Sequence, residues 1–188
     1  MDLTKPRIPP LSPAEWNAEV RELLQPLERE GQVDNLYTTL ARHPKLLKRW
    51  KVFGAHVLGK STLPTRDREI LILRLGWLCQ SRYEWVHHVL IGKAEGGLDE
   101  RDIARIQEGP AAAGLQPFDA ALLRAVDELH ARCFIEDFTW KTLTERYDEQ
   151  QMLDLLFTVG QYRLLAMLLK SAGIQLEERV TRPAMRAA

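Results

Sequence analysis

Glu84 and His88 stand four residues apart in the run Ser81-Arg82-Tyr83-Glu84-Trp85-Val86-His87-His88. On a helix that spacing puts a carboxyl and an imidazole on one face, one turn apart. An imidazole titrates near neutral pH and burial lifts a carboxyl toward the same range, so the pair can exchange a proton with a bound organic molecule. Glu69, on the preceding apolar segment, joins them if the two segments fold as a hairpin, and Ser81 shares their face if helix reaches that far back. The alternative is structural: the same groups hydrogen-bond one another and rigidify the hairpin. Spacing leaves both open.

The neighbouring residues widen the choice. His87 or His56 added to the pair would offer ligands to a divalent ion. Successive helical residues point about 100° apart, however, so His87 and His88 do not converge on one ion, and no metal is expected. Arg66, Arg68 and Arg74 are candidates for holding an acidic substrate, unless they pair with neighbours such as Asp67 and Glu69. Tyr83, Trp77 and Trp85 either line a pocket or pack in the core, with His87 and Ser81 beside them. Cys79 and Cys133 form no C-x-x-C and no ligand pair, and are expected to be small buried hydrophobes.

The elements that must position these groups read as helices throughout. Pro6, Pro9 and Pro10 keep residues 1–12 an extended arm, after which Ser12, Pro13 and Glu15 suggest a capped helix running to about Arg29. Apolar residues recur at helical spacing over Lys45–Leu58, and Pro64–Thr65 open a helix apolar on more than one face, as a central helix would be. The segment carrying Glu84 and His88 stops at Gly96-Gly97, and Asp99 caps the next. Phe118–Cys133 is amphipathic, Thr139–Tyr147 is a short helix, and Asp148 with Gln151 caps a long one ending near Gly173. No alternating run competes, so the fold class is all-α. The Arg-rich residues 178–188 have little to bury and are expected to be a flexible tail.

A chain of 188 residues, 45% apolar and 28% charged, fits one globular domain, here residues 13–177. Lys plus Arg equals Asp plus Glu at 26 each, so no net field draws nucleic acid or an anionic membrane. The most apolar segment, Met152–Leu169, is interrupted by Asp154, Gln161 and Arg163 and reads as a core helix rather than a membrane span. With no apolar leader after Met1, a cytoplasmic protein is expected.

The run Arg68-Glu69-Ile70-Leu71-Ile72-Leu73-Arg74, then Tyr83 to His88, then the stop at Gly96-Gly97-Leu98, resembles the carboxymuconolactone decarboxylase family, which includes the alkylhydroperoxidase D (AhpD) proteins. The likeness is clearest from Leu63 to Ile106. It implies an all-helical AhpD-like bundle around a central hairpin and a homo-oligomer. The AhpD pattern is a glutamate, a C-x-x-C and a histidine four residues after the second cysteine; here these positions hold Glu69, Ser81, Glu84 and His88. Both cysteines are therefore missing, and a thiol peroxidase working through them would lack the attacking and the resolving sulfur. Cys79 has no partner in the motif.

The decarboxylase branch is similar in working without that pair. By the resemblance, His88 is the acid or base, Glu69 orients it, Glu84 is a second acid or base, and Arg74 or Arg82 holds a substrate carboxylate. The expectation is cofactor-free proton-transfer chemistry, decarboxylation or lactone isomerisation, on a small organic acid or lactone. A non-catalytic ligand-binding or assembly protein with a degenerate site is the alternative, and peroxidase activity the third reading.

Overall fold

The computed structural model describes residues 3–29 and 31–181. Ten α-helices appear there: α1 Ala18–Leu24, α2 Asn35–Leu40, α3 Pro44–Gly59, α4 Thr65–Leu78, α5 Arg82–Ala94, α6 Glu100–Glu108, α7 Pro117–Arg132, α8 Asp137–Thr144, α9 Glu149–Ala172 and α10 Glu178–Thr181. The fold is all-α, and the only β feature among the described residues is an isolated bridge between Arg29 and Gln32.

The chain divides into two compact units, residues 1–56 with 167–188, and residues 57–166. In the first unit the backbone amides of Arg7 and Ile8 donate to the Ala172 carbonyl at 2.8 and 3.2 Å. Glu177 there receives the Asn35 amide at 2.6 Å. The expected opening helix is broken. Ser12 and Glu15 do make the reciprocal contacts of a capping box, but around the short 3-10 turn Pro13–Glu15; the chain then extends through Trp16 and restarts at α1 with Asn17 as cap. Asn17 Oδ1 accepts the Val20 amide at 2.9 Å, a better nucleus than continuing from Glu15. Of the expected tail, Glu178–Thr181 is helical with Val180 buried, while residues 182–188 lie outside the described residues.

In the second unit α4 is the axis. Ten consecutive residues from Asp67 to Gly76 are buried, because α5, α6 and α7 pack around it. A helix buried on all sides needs its charges satisfied internally. Arg66 grips Asp119 through both terminal nitrogens (2.9 and 2.8 Å), and Arg74 grips Asp127 (2.6 and 2.9 Å). Both arginines and both aspartates are eight residues apart, so α4 and α7 lie alongside one another in the same direction. Asp67 accepts from the Tyr147 hydroxyl at 2.7 Å. Burial, reinforced by that bond, holds the Tyr147 hydroxyl protonated far above the usual range.

α9 is, by length and composition, apolar enough to cross a membrane, yet 56% of that window is buried within the protein. Met152, Leu155, Val159, Tyr162, Leu165 and Ala166 make it a core helix. Its start carries the expected cap, Asp148 and Gln151 exchanging backbone amides at 2.9 and 3.2 Å. α8 begins two residues earlier than expected, at Asp137, because the Glu128 carboxylate reaches across from α7. It accepts from the Glu136 amide (2.9 Å) and the Thr139 hydroxyl (2.8 Å).

Candidate active site

α4 and α5 form the hairpin that brings Glu69 to His88. The turn between them is tight: Gln80 adopts a left-handed φ of 52° and the Ser81 amide donates to the Gly76 carbonyl at 2.9 Å. Two glycines let the helices touch. A methyl group on Gly92 would stand 3.6 Å from Glu69 Cβ and only 2.9 Å from a Leu98 methyl, and one on Gly76 would stand 3.6 Å from Glu84 Cβ. Interior glycines cost helix stability and are kept where backbones must approach.

At the centre, His88 Nδ1 lies 2.7 Å from Glu69 Oε2, and Arg68 Nε donates to the other Glu69 oxygen at 3.0 Å. All three are buried, Glu69 completely. With Glu69 accepting from both the guanidinium and the ring, the imidazole hydrogen sits on Nδ1 and Nε2 is the nitrogen left for proton exchange. The His88 and Tyr162 rings stand nearly perpendicular, centroids 4.8 Å apart. Tyr162 is absent from the sequence reading. Its only signal was the polar break Gln161–Arg163 in an apolar helix.

Glu84 is one turn before His88 on α5, 3% exposed, and neither carboxyl oxygen makes a hydrogen bond among the described residues. Burial pushes its pKa up to about 8. The nearby Ser81 hydroxyl pulls the other way without reaching full hydrogen-bond geometry. At neutral pH Glu84 is therefore a neutral acid, a proton donor in an apolar setting. Ser81 sits at the cap of α5 rather than inside it, 1% exposed, and its hydroxyl makes no full hydrogen bond among the described residues.

A cleft of about 510 Å³ opens beside these residues, lined by Gly76, Trp77, Leu78, Gln80, Ser81, Arg82 and Trp85. Trp77 and Trp85 stand 5.3 Å apart between ring centroids and form its apolar wall. Arg82 is exposed at its rim and makes no ion pair among the described residues. Ser81, Arg82 and Trp85 thus meet at the cleft, whereas Glu69, Glu84 and His88 are buried and do not line it.

Other candidates are engaged elsewhere. Arg74, read as a holder of substrate carboxylate, is buried, and besides Asp127 it donates to the Ile106 and Gln107 carbonyls at 3.0 and 2.8 Å. It ties α4 to α6 and α7, and too few donors remain for a substrate. Tyr83 is buried and stacks on His87, centroids 4.4 Å apart, with His87 Nδ1 donating to the Tyr83 carbonyl at 2.9 Å. The cysteines are also not the buried hydrophobes expected. Cys133 is exposed as the left-handed cap of α7, and Cys79 is partly exposed, its sulfur 3.8 Å from His130 Nδ1.

Residues 44–128 match the family described as Carboxymuconolactone decarboxylase. Comparison with curated proteins finds no significant match. Among solved structures, an uncharacterized peroxidase-related protein from Ralstonia eutropha JMP134, described as an alkylhydroperoxidase AhpD core, is similar with a TM-score of 0.79 at 17% identity, covering 93% of this chain and 94% of that one. A peroxidase-related protein from Silicibacter sp. TM1040 follows at 0.77 and 16% identity, covering 95% and 93%. A variant of the debrominase Bmp8 in complex with 2,3,4-tribromopyrrole superposes at 0.73 with 14% identity, covering 99% of both. Identities this low establish a shared fold.

Proposed function

We propose that this chain, whose residues 44–128 match the carboxymuconolactone decarboxylase family and whose fold is similar to that of an AhpD core, catalyses cofactor-free proton transfer, decarboxylation or lactone isomerisation, on a small organic acid or lactone. The observation that carries this is the pairing of a carboxylate-oriented imidazole, His88 on Glu69, with a neutral buried acid, Glu84, one turn away on the same helix. Two titratable groups with environments this different suit opposite roles.

Loss of a carboxylate as carbon dioxide leaves an electron pair that a conjugated system holds until carbon is reprotonated. Glu84 supplies that proton and is reprotonated from water, since decarboxylation consumes one proton; in a lactone isomerisation His88 Nε2 takes a proton from one carbon, Glu84 gives one to another, and a proton passing from His88 back to Glu84 through solvent restores both. Ser81 and Arg82 at the cleft bind the substrate's polar end, and Trp77 and Trp85 its flat apolar part. The peroxidase route of the AhpD pattern has no sulfur at Ser81 or Glu84, which leaves proton transfer the better supported chemistry.

His88→Asn is the deciding variant, because the asparagine amide keeps the bond to Glu69 while Nε2 is lost. Turnover of a panel of small carboxylates and lactones should fall at least about 100-fold, as for loss of a general base, with the fold intact. Undiminished turnover would remove His88 from the chemistry. A second reading, a ligand-binding protein without turnover, is favoured by the burial of Glu69, Glu84 and His88 away from the cleft. It expects the same panel to raise the melting temperature without being consumed.

We also propose a homo-oligomer. Leu153, Phe157 and Leu164, with Gly160 between them, form an exposed apolar stripe on α9 at the spacing by which helices pair with copies of themselves.

A further inference from the structure

We infer that the cleft beside the hairpin binds a planar, fully conjugated monocarboxylate, its ring against Trp77 and Trp85 and its carboxylate on the Arg82 guanidinium at the rim. This rests on the reading of that cleft as the ligand site, and it narrows the small organic acid proposed there to one shape and one charge.

The charge follows from what lines the cleft. Among the described residues there, Arg82 alone carries one. Its guanidinium is exposed and makes no ion pair among those residues, whereas Arg66 and Arg74 are each closed on an aspartate of α7. A free guanidinium offers a carboxylate two parallel N–H bonds, a match that a neutral or cationic ligand lacks. A second carboxylate within the cleft would have no cation to meet, which limits the ligand to one.

The shape follows from the two indoles. Their centroids are 5.3 Å apart and their planes are tilted by 54°, so they form a corner and not a slot. A flat ring stacked offset on one indole turns its edge toward the other, and both arrangements are favoured by the ring quadrupoles. A saturated ring covers the same apolar surface without either contact. That surface is open to be covered, since Trp77 is 45% exposed. Inward, Ser81 lines the cleft although it is 1% exposed, and its hydroxyl makes no full hydrogen bond among the described residues. Gly76 lines it too, where a methyl group would lie 3.6 Å from Glu84 Cβ. No side chain at position 76 therefore stands between a bound ring and Glu84, and the Ser81 hydroxyl is left to hydrogen-bond the ligand.

Isothermal titration calorimetry on the full-length protein compares three probes: 2-naphthoate, the neutral 2-naphthalenemethanol and the saturated decahydro-2-naphthoate. 2-Naphthoate should bind about tenfold more tightly than the alcohol and about fivefold more tightly than the saturated acid. Arg82→Gln should erase the first preference and keep the second, and Trp85→Leu should do the reverse. In spectra of protein carrying nitrogen-15 in its indoles, 2-naphthoate should shift the signals of Trp77 and Trp85, assigned with Trp77→Phe and Trp85→Phe, and leave those of Trp16, Trp50 and Trp140 in place. Absence of binding at millimolar 2-naphthoate overturns the inference, as does an alcohol or saturated acid that binds equally well, or shifts confined to other indoles. If Trp85→Leu unfolds, the three probes on the wild type and the indole shifts decide. These readouts need no turnover, so the ligand class and the proposed reaction fail separately. Turnover of non-aromatic acids without a preference for 2-naphthoate would remove the class and keep the reaction; the preference without turnover of any carboxylate would do the opposite.

Discussion

At the scale of single residues, Glu69 and Glu84 show how one residue type takes two roles by environment. Glu69 accepts from Arg68 and His88, and replacing its carboxylate leaves the buried Arg68 guanidinium without its ion-pair partner. Glu69→Gln should therefore cost about 3–5 kcal/mol, read as a large drop in denaturation midpoint. Loss of activity in that variant would not separate catalysis from stability, which is why His88→Asn is the better probe. Glu84 behaves in the opposite sense. Its folded pKa of about 8 lies above the ordinary 4.5, so between those values the folded state holds a proton that the unfolded state releases. Stability contributed by the neutral acid is present below pH 4.5 and declines as pH rises toward 8. Glu84→Gln should remove this slope, melting about 2–4 °C or more above the wild type at pH 9 and by a smaller margin at pH 5. A constant difference across that range would show that Glu84 ionises normally. If Glu84 is the acid in turnover, wild-type kcat/KM should also fall with an apparent pKa near 8.

At the scale of elements, α4 works because its charged residues are tied to helices that lie far away in the chain. The Arg74 clamp depends on a glycine. Gly109, at the end of α6, has a φ of 105°, and a methyl group there would come 2.6 Å from an Arg74 nitrogen. Gly109→Ala combines a backbone conformation closed to L side chains with displacement of a buried guanidinium. It should cost about 2–4 kcal/mol in urea unfolding, against at most about 1 for an exposed helix-end glycine. Arg74→Lys should lower stability likewise, since an ammonium cannot grip Asp127 and two carbonyls at once, and should leave substrate KM alone. A raised KM with unchanged stability would return Arg74 to the substrate site.

At the scale of the molecule, the α9 stripe decides between a monomer and an assembly. Light scattering should find more than one copy per particle in the wild type, and Phe157→Asp should reduce it to one, since a charge placed in a paired apolar seam is left desolvated. A monomeric wild type at micromolar concentration would remove the proposal. Because Phe157 is exposed within the protomer, the variant should retain its helical signal, which separates loss of assembly from loss of fold.

What the sequence determined by itself is local. Periodicity located α3, α4, α5, α7 and α9, and the caps at Asp99 and Asp148 marked the starts of α6 and α9, because those signals lie within one or two turns of chain. The i, i+4 spacing of Glu84 and His88 and the motif position of Glu69 were legible for the same reason. Tertiary structure decided everything that depends on a distant partner. Asp127 takes Arg74 away from any substrate, Tyr162 meets His88 from α9, and His130 turns Cys79 from an expected core residue into a paired thiol. Burial, which sets the Glu84 proton near pH 8, is likewise a property of the packed hairpin: Gly76 and Gly92 close it, and desolvation arises only once they have.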